Sequence, residues 1–174
     1  MSRWNDDPSP LRRHGFEMRP TLYLETTIPS YLVSRPSRDL IIAAHQQVTM
    51  EWWSTRRSAF DIFVSQLVLD EARAGDSEAA GARLQAIKGL PLLDITGEVG
   101  LLLGRMMSSG VIPPKAAADV AHIAIAAAHG LDFLMTWNCV HLANAVIAKA
   151  VARVCRDLGF ECPVICTPEE LMGE

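Results

Sequence analysis

The sequence has few of the features that mark secreted, zinc-binding or membrane proteins. Only 6% of its 174 residues are aromatic, and its four cysteines form no C-x-x-C pair. We therefore expect free thiols rather than disulfides or zinc ligands. The longest weakly polar stretches are interrupted by Lys115, Asp119 and Lys149, which argues against a membrane-spanning helix. Residues 1–20 lack the apolar segment of a signal peptide, so a cytoplasmic protein is expected.

The chain also lacks a surplus of basic residues. Lysine and arginine number 16 against 20 aspartates and glutamates, which gives a formal charge of −4. Strong non-specific binding to duplex nucleic acid requires excess positive charge, because the phosphates must be neutralised. Any function on nucleic acid must therefore come from a specific site.

The composition that is present fits one globular domain. Hydrophobic residues make up 49% of the chain and charged residues 21%, far from the range of disordered proteins. Residues 1–20 contain three prolines and little apolar periodicity, whereas an apolar segment begins at Thr21. We expect an N-terminal tail over residues 1–20 and a domain over residues 21–174.

Short apolar segments alternate with helical patterns along this domain. Strands are predicted at Thr21–Leu24, 59–64, 91–95, 132–136 and 163–166. A helix is predicted to open at 25–29, and others to cover 38–58, 65–73, 77–88, 97–109, 115–128 and 144–158. Because helices separate every pair of strands, the pattern predicts an α/β domain of three α/β/α layers with a mostly parallel, five-stranded sheet.

Four polar residues are expected to converge at one edge of this sheet. Glu25 follows the first strand, Glu71 lies on the helix after the second, Asp119 is near the start of the alanine-rich helix, and Asn138 follows the fourth strand. Ligands of such sheets bind at the carboxyl ends of the strands. Converging carboxylates repel one another unless cations neutralise them, and hard oxygen ligands favour Mg²⁺ or Mn²⁺.

Four stretches in this order also carry a family resemblance. They are 22–32 (LYLETTIPSYL), 64–75 (VSQLVLDEARAG), 116–128 (AAADVAHIAIAAA) and 132–144 (DFLMTWNCVHLAN). Over about residues 21–171, the chain resembles the PIN-domain nucleases, especially the VapC-type toxins of bacterial toxin–antitoxin pairs. The fold of that family, a parallel sheet flanked by helices, agrees with the fold predicted from the hydrophobic pattern.

The resemblance implies roles for individual residues. Glu25, Glu71 and Asp119 match acidic positions that ligate metal, and Asn138 matches a fourth position that holds a water or a second ion. The Thr26 and Thr136 hydroxyls are then expected to orient their neighbours. The family usually has aspartate in place of Glu25 and Asn138, so this site carries −3 rather than −4. We expect it to bind one ion tightly and a second only together with the substrate phosphate.

The resemblance further implies the activity and the partners. The expected function is Mg²⁺- or Mn²⁺-dependent endonucleolytic hydrolysis of RNA, with the protein acting as the toxin of a toxin–antitoxin pair. Expected partners are the RNA substrate, a cognate antitoxin protein and a second copy of the chain in a homodimer. The alternative is a catalytically weak binding module that keeps the fold and acts through protein or RNA interaction, since Glu25 and Asn138 depart from the family pattern.

Several assignments remain open at this stage. Asp70 competes with Glu71, because a helix can point only one of two adjacent side chains inward, and the resemblance favours Glu71. His122 is expected to be a supporting or core histidine rather than a catalytic base. His141 is a candidate for the edge of the site or for a substrate phosphate. Arg35 and Arg38, near the Glu25 loop, are candidate substrate-phosphate contacts, although a solvated helix start explains them equally well.

Overall fold

The structure is a computed structural model, which describes residues 19–110 and 112–173. Most of the expected N-terminal tail therefore lies outside the described residues; only Arg19 and Pro20 of it are included.

Five parallel strands form a single sheet at the centre of the domain. The strands are β1 (Thr21–Leu24), β2 (Asp61–Ser65), β3 (Leu92–Leu93), β4 (Phe133–Met135) and β5 (Val164–Cys166). Their order across the sheet is β3-β2-β1-β4-β5. The predicted five-stranded parallel sheet is confirmed.

Seven α-helices connect and flank these strands. They are α1 (Thr27–Val33), α2 (Leu40–Thr55), α3 (Gln66–Ala72), α4 (Ser77–Ala86), α5 (Gly97–Met107), α6 (Ala117–Ala128) and α7 (Ala145–Asp157). Short 3-10 helices occupy Arg57–Ala59, Pro114–Ala116 and Glu169–Leu171. Within the described ranges, no helix has both the length and the apolar character needed to cross a membrane.

Side-chain caps set several helix starts one or two residues later than predicted. The Asp39 carboxylate accepts hydrogen bonds from the backbone N–H groups of Ile41 and Ile42, so α2 begins at Leu40. Asn144 caps α7 in the same way rather than forming its first turn. A capping residue has a non-helical backbone but directly precedes the helix in sequence. A prediction from sequence pattern alone therefore includes it in the helix.

The helices form one layer on each face of the sheet. α1 packs against α2 and α4, and α3 packs against α4, whereas α5 packs against α6 and α7. Right-handed crossovers place α1–α4 on one face, because β1, β2 and β3 follow one another outward in one direction. The chain then returns to β4 on the other side of β1, and α5–α7 cover the opposite face. The strand order therefore reverses between β1 and β4, which is where such sheets bind ligands.

The hydrophobic core lies on both faces of β1 and β4 and along α6. Leu22, Tyr23 and Leu24 are completely buried, and α6 buries Val120 and the six consecutive residues from His122 to Ala127. α6 ends where predicted, because Gly130, the second residue beyond it, adopts a positive φ of 63°. Since α6 is packed into the core on nearly all sides, a polar residue within it must find a buried partner.

A reciprocal hydrogen-bonded pair joins the beginnings of β1 and β4. The Asp132 carboxylate accepts from the backbone N–H and the hydroxyl of Thr21, both at 2.7 Å. In return, the Asp132 N–H donates to the Thr21 hydroxyl at 2.9 Å. The backbone and side-chain hydrogen bonds from Thr21 lower the pKa of Asp132 below its usual value.

We expect Asp132→Ala to lower the free energy of unfolding by about 1 kcal/mol at pH 7, the usual net worth of such hydrogen bonds. Because the pKa is lowered in the folded state, this stabilisation is present above the unfolded pKa, near 4, and is lost as the pH falls through the folded value. Urea unfolding at pH 7 and pH 3 measures the effect. Asp94→Ala, at an exposed carboxylate, is the control, and an equal loss at both pH values would contradict the prediction.

Candidate metal centre

Glu25 lies at the carboxyl end of β1, next to β4. Its backbone N–H extends the β1–β4 ladder by donating to the Met135 carbonyl at 3.1 Å. The carboxylate is 4% exposed, and its Oε2 accepts from the Thr27 N–H, the Thr27 hydroxyl and the Thr136 hydroxyl, the last at 2.8 Å. Three donors therefore hold one oxygen of this buried carboxylate.

Glu71 reaches the same place from α3. Ser65 at the end of β2 caps this helix, and Glu71 lies in its last turn. The Glu71 Oε2 accepts from the Thr26 hydroxyl and lies 3.1 Å from His122 Nε2. Burial acts to raise the pKa of Glu71, but the hydrogen bonds from His122 and Thr26 outweigh it and lower that pKa. Glu71 is therefore ionised at neutral pH.

Asp119 enters from the first turn of α6 and is held by Asn138. The Asn138 Nδ2 donates to Asp119 Oδ1 at 2.8 Å, while Asn138 Oδ1 accepts from the His141 N–H at 3.1 Å. Burial raises the pKa of Asp119, and the nearby His141 and His122 offset only part of that rise. An aspartate at position 138 would place a like charge against Asp119, whereas the amide supplies a donor.

Each of the three carboxylates is thus anchored through one oxygen. Glu25 uses Oε2, Glu71 uses Oε2 and Asp119 uses Oδ1 for protein hydrogen bonds. Within the described residues, the second oxygen of each carboxylate accepts no hydrogen bond from the protein. The ligand atoms that lie within 4.8 Å of one another belong to Glu25, Glu71 and His122, so this group can hold a metal ion. Asp119, which was also predicted as a ligand, lies outside this group.

His122 is the member of this group that is not a carboxylate. Its ring is 1% exposed and connects Glu71 to the interior. Its Nδ1 lies 2.8 Å from the Tyr23 hydroxyl, which in turn lies 2.7 Å from the Ser65 hydroxyl. Ser65 also accepts from the Val68 N–H at the start of α3. A continuous buried chain of hydrogen bonds therefore runs from the cap of α3 to Glu71.

The direction of this chain follows from its two ends. The Glu71 carboxylate offers only acceptors, so His122 Nε2 donates to it. In the neutral ring Nδ1 then accepts, which makes the Tyr23 hydroxyl the donor to His122 and the Ser65 hydroxyl the donor to Tyr23. In this direction every polar hydrogen of the chain has an acceptor. His122 therefore orients Glu71 as a hydrogen-bond donor, and since both of its ring nitrogens have partners, the unpaired ligand atoms of this group are the second oxygens of Glu25 and Glu71.

The remaining residues predicted from the sequence have distinct surroundings. Asp70 is exposed and pairs with Arg73 at 2.6 Å, so Glu71 is the residue of the two that faces the centre. His141 adjoins Asn138 through its backbone. The Arg35 guanidinium is exposed and lies 3.9 Å from Glu78 on α4, and Arg38 is also exposed. Among the described residues, neither arginine contacts Glu25, Glu71 or Asp119.

The sequence pattern missed part of the support for this centre. Thr27 holds Glu25 and also accepts from the Trp137 N–H at 2.9 Å, yet it was predicted only as part of a helix start. Tyr23 and Ser65 read as ordinary strand and cap residues. One signal was available in the sequence. Tyr23 and His122 are polar residues in an otherwise apolar strand and helix, and a buried polar group requires a hydrogen-bond partner.

Comparison with known proteins adds no identification. No family model matches the chain, and no curated protein is significantly similar to it.

Proposed function

We propose that this protein is a Mg²⁺- or Mn²⁺-dependent endoribonuclease of the PIN type. The observation that carries the proposal is the group of Glu25, Glu71 and His122, whose ligand atoms lie within 4.8 Å of one another, with Asp119 near enough to interact electrostatically with Glu71. Carboxylates that are each anchored through one oxygen, with the other free of protein donors, suit a hard divalent cation. Their position where the strand order reverses also fits a site that acts on a ligand.

The residues of the chain have separate tasks in this proposal. Glu25, Glu71 and Asp119 hold the cation through their free oxygens, and Thr27, Thr136 and Asn138 keep Glu25 and Asp119 in place. A bound divalent cation acidifies a water molecule and stabilises the charge that develops at phosphorus. His122 and Thr26 keep Glu71 ionised, so that it presents a negative charge to the cation.

The biological setting follows from the resemblance in the sequence. Like the VapC-type toxins that it resembles, this protein acts in our proposal as the toxin of a toxin–antitoxin pair, as a homodimer restrained by its antitoxin. A partner that inserts an arginine or lysine among the three carboxylates would neutralise them as a cation does. The sequence expectation of a cytoplasmic protein belongs to the same proposal.

A binding module without turnover is the second candidate. The observation in its favour concerns Asn138, the residue at the fourth position of the centre. Its side chain is neutral and donates a hydrogen bond to Asp119. Such a centre binds a second cation weakly, and a single ion can support RNA or protein binding without hydrolysis.

A cleavage assay separates these two functions. End-labelled single-stranded RNA is incubated with the purified protein in Mg²⁺, in Mn²⁺ or in excess chelator. We expect cleavage to 5′-phosphate products with either metal and none with chelator. The double variant Glu71→Ala/Asp119→Ala is the control for contaminating nucleases. Identical traces for this variant and the wild type would exclude the enzyme and leave the binding module.

RNA affinity should also depend on the metal. Without a cation, the three carboxylates repel the phosphates of RNA, so we expect weaker RNA binding in chelator than in Mn²⁺. Fluorescence anisotropy with a labelled oligoribonucleotide measures this difference. Equal affinity in the two conditions would contradict a cation at this centre.

A further inference from the structure

A groove between α5 and α7 is lined by more positive than negative side chains. It has a volume of about 640 Å³ and lies between the C-terminal end of α5 and the length of α7. Arg105 lines it from α5, and Lys149 and Arg153 line it from α7, against the single acid Asp157. The chain as a whole carries −4, so this surface opposes the net charge of the protein.

These cations are available to a ligand. In the described part of the chain, Arg105 and Lys149 form no salt bridge with a carboxylate. Arg153 lies 3.9 Å from Asp157, but both side chains are mostly exposed, and such a pair contributes little. Lys149 and Arg153 are one helical turn apart, about 6 Å along α7, so they form a row along the groove.

The two walls of the groove are connected to the candidate metal centre along the chain. Asn138, which holds Asp119, accepts backbone hydrogen bonds from Leu142 and Ala143 at 3.0 and 2.9 Å. Asn144 then caps α7, so the row of cations starts directly after this compact loop. On the other wall, the segment that follows α5 leads to the first turn of α6, where Asp119 lies.

We infer that this groove, whose α7 wall begins seven residues after Asn138, holds the sugar–phosphate backbone of the single-stranded RNA substrate. The inference rests on the proposed function, because it assigns the path of that substrate. The positive row suits phosphates, and the aliphatic floor of Val146, Ala150 and Val154 suits ribose. None of the described residues that line the groove is aromatic, so these residues offer no surface for the base stacking through which proteins hold bases. The contact is therefore independent of sequence.

The test replaces the three cations together, as Arg105→Gln/Lys149→Gln/Arg153→Gln. RNA binding is measured by anisotropy in Mn²⁺ between 50 and 200 mM salt, and cleavage is measured as kcat and KM. With about 0.7 counterions released per phosphate contact, the wild type should lose about 20-fold more affinity than the variant over this salt range. We expect KM to rise while kcat and the cleavage position stay unchanged for every RNA sequence.

Two matched variants control for folding and for general charge. Arg105→Lys/Arg153→Lys keeps the charges and should bind RNA as the wild type does. Arg19→Gln/Lys88→Gln/Arg156→Gln removes three cations that do not line the groove, and its salt dependence should stay close to that of the wild type. An equal loss in this second variant would show that only net charge matters and would overturn the inference.

The outcomes also distinguish the groove from the proposed function. If the groove variant cleaves RNA with unchanged KM and unchanged salt dependence, the protein is a ribonuclease but the groove does not bind its substrate. If RNA binding depends on the three cations but no RNA is cleaved, the groove binds RNA and the proposed enzymatic function is wrong. If poly-glutamate competes with RNA of equal charge for these side chains and binds more tightly than the RNA, the occupant is an acidic protein segment, and the assignment to RNA is wrong.

Discussion

Asp119→Asn is expected to abolish RNA cleavage while leaving the metal-free protein at least as stable as the wild type. The amide keeps an oxygen that accepts from Asn138, so only the charge is removed. Removing a supporting group around a metal costs up to about 100-fold in activity, and the loss of a ligand charge should exceed that. The rate of RNA cleavage in saturating Mn²⁺ measures the effect, with Asp94→Asn as the exposed-carboxylate control.

The stability part of this prediction has a defined sign. Burial raises the pKa of Asp119, so its ionisation destabilises the folded state at neutral pH. Asp119→Asn removes that cost above the folded pKa and changes nothing below the unfolded pKa, where the carboxyl is protonated in both states. Glu71 has a lowered pKa, so Glu71→Gln should instead reduce the melting temperature at pH 7. Melting in chelator at pH 7 tests both signs, and a large drop for Asp119→Asn would contradict the prediction.

His122→Ala is expected to reduce Mn²⁺ affinity and cleavage by about 10- to 100-fold, whereas His122→Gln should retain most of both. The reason is the role of Nε2, which donates to Glu71 Oε2 at 3.1 Å. The glutamine amide nitrogen can take nearly the same position and donate the same hydrogen bond. Isothermal titration with Mn²⁺ and the metal dependence of cleavage measure the two variants.

Comparing His122→Ala with His122→Gln shows whether His122 positions Glu71 or binds the metal itself. If His122 binds the metal directly, His122→Gln should fail as completely as His122→Ala. Tyr23→Phe gives a second readout, because it leaves His122 Nδ1 without its hydroxyl partner in a completely buried place. An unsatisfied buried group costs about 1–3 kcal/mol of stability. A Tyr23→Phe protein with wild-type stability would contradict the hydrogen-bond chain.

Local patterns were sufficient to predict the layout of the domain. Apolar runs bounded by turn residues predicted all five strands, and glycine after α6 predicted its end. Most differences lie at the ends of elements, although the short 3-10 helix at Glu169–Leu171 was not predicted. The predicted strand 91–95 is reduced to Leu92–Leu93, because only these residues pair with β2 at the edge of the sheet. The beginning of the predicted strand 59–64 is instead the end of a 3-10 helix.

The expected convergence of polar residues depended on the fold rather than on any one motif. The carboxyl ends of parallel strands meet at one edge, so Glu25, Glu71, Asp119 and Asn138 were candidates as soon as the sheet was predicted. The sequence could not decide how they pair. It treated Asn138 as a holder of water or a second ion, whereas the structure shows it as the donor that fixes Asp119.

What the sequence determined by itself is therefore the order of the elements and the set of acidic residues near one edge. These follow from periodicity and from residue type over a few neighbouring positions. Tertiary structure decided the contacts between residues far apart in the chain. Thr136 anchors Glu25 across 111 positions, and His122 reaches Glu71 across 51. Such contacts depend on how α6 packs into the core and which way each side chain then points, and no local pattern encodes that orientation.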